Sequence, residues 1–235
     1  MGRILADLYR PDSGEVLFLS RNIRQLKKTE YREFRRSVQL VFQDPFSSLD
    51  PRFSVRRILM EAFTLQEKTE KSEQQQRMIE ILSAVGLPQD ILNRYPHEFS
   101  GGERQRISIA RAVLCRPKLV ILDEAVSSLD VLVQEHILKL LESLKSQFGL
   151  TYLFISHNLR VVRKISDKIA VMYKGRIVEY GPASELMTNP RHPYTLELLT
   201  AAVEFSVPDQ PREWSLPESQ QGVLVGPDHW VLNTV

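Results

Sequence analysis

One cysteine, Cys115, in 235 residues rules out an internal disulfide framework and suits a reducing compartment. Long apolar runs are missing too: nothing approaches the roughly 18 consecutive apolar residues of a membrane-spanning helix, so no direct membrane insertion is expected. Neither sign of charge dominates. With Lys+Arg 31 against Asp+Glu 29 the net charge is +2, so no bulk field draws the chain to nucleic acid, which is not an expected partner. The opening residues MGRILADLYR carry Arg3, Asp7 and Arg10 and lack the apolar stretch of a secretory signal. Nor do these residues contain a G-x-x-x-x-G-K-[ST] phosphate loop.

What is present is ample apolar material, 43% of residues, enough for one large α/β domain with an inserted subdomain or for two small domains. Arg3 to Tyr9 reads as a helix end, with Ile4, Leu5 and Leu8 on one face and Pro11 and Gly14 making a turn. Val38 to Phe42 reads as a short strand broken by Asp44-Pro45. Asp44 to Pro117 is expected to be mainly helical. There Val55, Leu59 and Ala62 form one stripe and Met78, Ile81, Leu82 and Val85 another, the second helix capped by Ser72 and stopped at Gly86. Leu119 to Leu122 and Tyr152 to Ile155 are short enough for buried parallel strands. A crossover helix presenting Ile137, Leu140, Leu141, Leu144 and Phe148 joins them. Lys168 to Tyr173 and Arg176 to Glu179, linked by Lys174-Gly175, predict a hairpin. From about Val203 the chain is Pro-rich and loosely patterned, and PDQPREWSLPESQQG predicts an extended tail.

Chemistry concentrates in two runs, FSGGERQRISIARAV at Phe99 to Val113 and LVILDE at Leu119 to Glu124, with SSLD following at Ser127 to Asp130. Gly101 and Gly102 open a helix whose N-terminal N–H groups and dipole suit a phosphate. Ser100 and Glu103 also satisfy a capping box, which needs no ligand. Asp123 and Glu124 end a buried strand, where open α/β sheets bind ligands; an aspartate there can hold Mg²⁺ and a glutamate can act as general base.

In that order these motifs resemble the nucleotide-binding domain of ATP-binding cassette (ABC) transporters. The resemblance covers nearly the whole chain. It implies a P-loop NTPase-like, RecA-like α/β parallel sheet core lacking its first elements, with an inserted ABC helical subdomain. Its segments are a truncated core start at 1–43, the helical subdomain at 44–117, the core with acidic pair and histidine at 118–202, and a tail at 203–235. It also places the phosphate loop immediately upstream of Met1.

The resemblance implies ATP and Mg²⁺ as ligands. Gln43 and Asp123 would hold the metal, Glu124 would be the catalytic base, and His157 would contact the γ-phosphate. Ser100, Gly101, Gly102 and Glu103 would face nucleotide held by a second ATP-binding subunit, and Asp130 would communicate across that pair. The runs DPFSSLDP after Gln43 and RHPYTLELL at Arg191 to Leu199, with the late GPDHWV, resemble the oligopeptide, dipeptide and nickel importer group. Integral membrane permease subunits are then the expected partners, and the cytoplasmic side of the membrane the expected place. A subunit that only supplies its SGG turn in trans, and a soluble ABC ATPase unconnected with transport, are the alternatives. Three departures stand out: Glu103 where glutamine is usual, Ala125-Val126 for a common Pro-Thr or Pro-Val, and Ser128 for a common alanine.

Overall fold

The computed structural model describes residues 1–44, 48–65, 69–204, 222–226 and 228–232. The chain divides into two compact units, Met1–Ile155 and Ser156–Val235. Among the described residues no helix is long and apolar enough to cross a membrane.

The first unit is built on a three-stranded parallel sheet of β3 (Val38–Val41), β4 (Leu119–Asp123) and β5 (Thr151–Ile155), in that spatial order. Register pairs Val41 with Leu122, and Asp123 with Ile155, so neighbouring strands end together at one edge. Val120, Ile121 and Leu122 are buried, as expected for a strand covered on both faces. Before the sheet come α1 (Gly2–Leu5), a small hairpin of β1 (Leu17–Phe18) and β2 (Arg21–Asn22), and α2 (Lys28–Ser37). Leu19 and Ser20 close that hairpin with φ of 48° and 63°, the primed turn that matches strand twist.

Between β3 and β4 the chain is helical: α3 (Val55–Thr64), α4 (Lys71–Ala84) and α5 (Gly101–Leu114), with 3₁₀ turns at Gln89–Asn93 and Pro96–Glu98. Val55, Ile58, Leu59, Ala62, Met78, Ile81, Leu82 and the apolar side of α5 are all buried. Two details differ from expectation. Glu70, not Ser72, is the N-cap residue of α4, and it makes no side-chain cap bond; the helix starts early enough to place Ser72 inside its first turn. The stop is as read: Gly86 has φ 69°, and its N–H bonds the Ser83 carbonyl. Cys115, 2% exposed, is a core side chain whose thiol burial pushes up to about 11, so it remains protonated and inert. The crossover from β4 to β5 is α6 (Val131–Phe148), which buries Ile137, Leu138, Leu140, Leu141 and Leu144 and ends on left-handed Gly149.

The second unit starts with α7 (Leu159–Ile165). It continues through the hairpin of β6 (Lys168–Tyr173) and β7 (Arg176–Pro182), then α8 (Ala183–Thr188) and α9 (Pro193–Glu204). Lys174 and Gly175 turn the hairpin with φ of 44° and 81°. PDQPREWSLPESQQ falls outside the described residues, but β8 (Gly222–Gly226) and β9 (His229–Leu232) form an antiparallel hairpin that extends the sheet in the order β6-β7-β9-β8. Cross-strand burial explains it: Leu232, 1% exposed, joins Val162, Ile169, Val171, Val178, Ala183 and Leu186 in one cluster.

Candidate functional site

Parallel register places the ends of β3 and β4 side by side, so that Asp123 at the end of β4, Glu124 just after it and Gln43 in the loop after β3 share one edge. The Gln43 side is exposed, whereas both acids are half-buried. Glu124 sits at φ 51°, a left-handed conformation unusual for a residue with a Cβ. Hydrogen bonds hold it there. Its N–H donates to the Ile155 carbonyl at 2.9 Å, and its own carbonyl accepts from the Ser127 N–H at 3.1 Å and the Ser127 hydroxyl at 2.9 Å. Ser128, which stands where the family commonly has alanine, donates from Oγ to the Gln43 carbonyl at 3.4 Å and so ties the two loops. Ala125 and Val126 are each 1% exposed, filling the turn with apolar volume where Pro-Thr or Pro-Val is common. Asp130 caps α6, accepting from the Val133 N–H at 2.9 Å.

The SGG turn starts α5 as the capping box predicts. Glu103 Oε2 accepts from the Ser100 N–H at 2.9 Å and from the Ser100 hydroxyl at 2.7 Å, while the Glu103 N–H donates back to Ser100 Oγ at 3.3 Å. Those Ser100 hydrogen bonds, ahead of attraction from Arg94 and Arg106, hold the Glu103 carboxyl below its ordinary value. A group depressed in this way stabilises the fold above its unfolded pKa and loses that contribution as pH falls through the folded value.

Gly102 has a reason independent of any ligand: a Cβ there would lie 2.6 Å from Val133 Cγ1. The first turns of α5 and α6 therefore meet, and Ser100 to Glu103 come beside the loop that ends in Asp130. His157 belongs to the second unit, exposed between Ser156 and Asn158. Asn158 fixes that turn, its Oδ1 accepting the N–H groups of Arg160 at 3.1 Å and Val161 at 3.4 Å.

The donor set suits magnesium and no caged ion. Among the described residues no group of three His, Cys, Asp or Glu converges. Mg²⁺ characteristically takes one or two carboxylates and completes its shell with phosphate oxygens and water. Asp123 offers one such carboxylate, with Oδ2 3.7 Å from where a Gly2 Cβ would stand.

Two features escaped the sequence. A cavity of about 590 Å³ in the helical segment is lined by Leu49, Phe53 and Ile58, with Asp50, Glu61 and Arg111 among its polar residues. In the second unit Glu179, His192 and His229 are fully buried together. The second has no local signal, since Glu179 and His229 are distant in sequence, whereas all the cavity's lining residues but Arg111 lie between Ser48 and Glu61.

A parallel sheet with acids at its carboxyl edge and a capped helix start beside them defines a P-loop NTPase-like α/β protein. The ABC transporter family model matches residues 1–127, and the chain belongs to that family. It is 47% identical over 201 residues to the oligopeptide transport ATP-binding protein AppF of Bacillus subtilis (strain 168), an alignment covering 85% of this chain and 61% of AppF. It is similar in structure, with TM-score 0.69 and 25% identity, to cbiO1 from Clostridium perfringens, described as part of the ABC transporter complex cbiONQ; the match covers 86% of this chain and 77% of cbiO1. The ATP-binding cassette MJ0796, solved as a dimer in a post-hydrolysis state bound to ADP and Pi, matches with TM-score 0.66 and 25% identity over 77% of this chain and 78% of that one.

Proposed function

We propose that this chain is the ATP-binding subunit of an importer, pairing with a second such subunit to close over ATP and drive solute uptake through membrane-spanning permease subunits. The observation that carries this reading is the placement of Asp123 and Glu124 at the carboxyl end of β4, beside the loop of Gln43. In it, Asp123 and Gln43 hold Mg²⁺, which when bound neutralises phosphate charge. Glu124 orients and deprotonates the attacking water. His157 contacts the γ-phosphate, and Ser100, Gly101 and Gly102 present N–H groups to nucleotide on the opposite subunit. Asp130 links the two sites. The AppF name favours oligopeptides over nickel as solute. The proposed location is the cytoplasmic face of the membrane, as a peripheral subunit.

A second reading, a subunit that lends its SGG turn but hydrolyses nothing itself, is favoured by one specific observation. That turn is fully formed, with both bonds of its capping box made. The purified 235-residue chain, which contains no phosphate-loop motif, should bind MgATP weakly and show essentially no turnover, measured by calorimetry and phosphate release. Robust hydrolysis that disappears in Glu124→Gln would overturn this expectation.

The 590 Å³ cavity is the proposed seat for cytoplasmic segments of the permease. Photo-crosslinks from Phe53, which lines it, should reach an integral membrane protein, whereas Phe63 is only 7% exposed and should not report. Crosslinks from Phe53 to ribosomal or DNA-binding proteins alone would favour a soluble ATPase instead.

Glu103 supplies a third test. A carboxylate several ångströms from an incoming γ-phosphate repels it by roughly 2 to 3 kcal/mol at an effective dielectric near 20. With a partner that has an intact phosphate loop, Glu103→Gln should strengthen ATP-dependent association while leaving the circular dichroism spectrum unchanged. Unchanged or weaker association would reduce Glu103 to a helix cap.

A further inference from the structure

His229 is fully buried, yet both nitrogens of its ring face carboxylates. Nε2 lies 2.7 Å from Glu179 Oε1 on β7 in a hydrogen bond, and Nδ1 lies 3.1 Å from Glu185 Oε1 on α8, an ion-pair contact without hydrogen-bond alignment. The slot is built for the ring: a Cβ on Gly181 would stand 3.0 Å from His229 Cδ2, so β7 carries no side chain where the imidazole lies. Glu179, also fully buried, accepts in addition the N–H groups of Arg191 at 2.9 Å and His192 at 3.1 Å. It is thus bound on every side. The carboxylates occupy opposite ring nitrogens, so they cannot converge on one metal ion, and what satisfies both is a second ring proton.

We propose that His229 is a proton-held clasp: with both ring nitrogens protonated it ties the terminal strand β9 to β7 and to α8 at once, and on losing one proton it keeps Glu179 and releases Glu185. Neutral imidazole has one N–H and one lone pair. The proton stays with Glu179, where the contact is shorter and the carboxylate has no exposure to water. The lone pair then faces Glu185, whose side chain is 32% exposed and can turn outward. The link between α8 and β9 opens.

The surrounding charges leave these two acids as the partners. Glu185 is the titratable residue of α8, and β8 has none. On β7, neighbouring Tyr180 alternates to the opposite side of the strand from Glu179. Asp228, just before β9, is already paired with Lys168 of β6 at 3.0 Å. His192 accepts from the Tyr194 N–H through Nδ1 at 3.1 Å, and burial pulls its basicity down, so it brings no competing charge. For His229 burial also acts downward, but the bonds to Glu185 and Glu179 and their charges lift it above the ordinary imidazole value. The sign follows: a raised folded-state pKa gives stabilisation present below the ordinary value and lost as pH rises through the raised one.

The test uses the full chain with Trp214→Phe, leaving Trp230 as its single tryptophan. Histidine resonances are followed by NMR from pH 5 to 9, with His229→Gln assigning the signal. His229 should titrate above about 6.5. At the same midpoint Trp230 emission should shift, and amide protection across residues 229–232 should fall by roughly tenfold for each unit of displacement. Glu185→Gln, at a partly exposed position that tolerates the change, should move both midpoints down together. A His229 midpoint at or below about 6.5 would overturn the clasp. So would a flat Trp230 and amide response across the His229 titration, or a midpoint unmoved in Glu185→Gln.

Discussion

Glu179→Ala should cost the second unit about 3 to 5 kcal/mol, the loss typical of removing one member of a buried charge pair. Glu179 holds two elements to β7 through one carboxylate and three donors: β9 through His229, and the Arg191-His192 turn through two backbone N–H groups. Truncation leaves the buried His192 and His229 donors unsatisfied, each with its own desolvation penalty, together with the part-buried Arg191 N–H. Glu179→Gln keeps an acceptor oxygen and should cost less, by retaining one or two of the three bonds. Urea unfolding followed by Trp230 in the Trp214→Phe background would check this, since Trp230 packs against that unit's core. A loss under about 1 kcal/mol for Glu179→Ala would mean the turn and the strand are held by apolar packing instead.

Gly102→Ala should destabilise the first unit by about 1 to 3 kcal/mol, the cost of overpacking a filled contact. Elsewhere in a helix the same change stabilises by up to about 1 kcal/mol through lower backbone entropy in the unfolded chain. At this position the new Cβ meets Val133 Cγ1 at 2.6 Å, and a β-branched side chain in a helix has essentially one rotamer to offer. In a Val133→Ala background the obstacle is gone and Gly102→Ala should become neutral or stabilising. That reversal of sign, measured by a double-mutant cycle, separates packing from any ligand role of the glycine. Additive effects would show that α5 and α6 do not meet there.

Local patterns carried a good part of this architecture. The capping box at Ser100 and Glu103, the apolar run ending in Asp123 and the Lys174-Gly175 turn each depend on neighbours within a few residues, and each formed where its pattern lay. No strand was expected at 222–226 or 229–232, although GVLV and HWVL flanking Gly-Pro-Asp are a hairpin pattern. The Glu179 cluster had no such signal. Its members are 13 and 50 residues from Glu179, and β7 pairing with β9 brings His229 to it. Gly102 was read for its N–H group when a contact with α6 already demands it. The expected helix cap at Ser72 failed for a smaller reason, a start shifted by two residues.

The left-handed backbone at Glu124 gives a way to separate chemistry from folding. A residue with a Cβ pays of order 1 kcal/mol to stay in that region, while glycine pays nothing. Glu124→Gly should therefore be at least as stable as the parent, and Glu124→Gln should keep the parental strain. A protein that loses its proposed general base yet melts higher would mark this turn as one where folding alone would choose a different residue. The acid would then persist there through what it does, against a small and constant thermodynamic pull toward its own replacement.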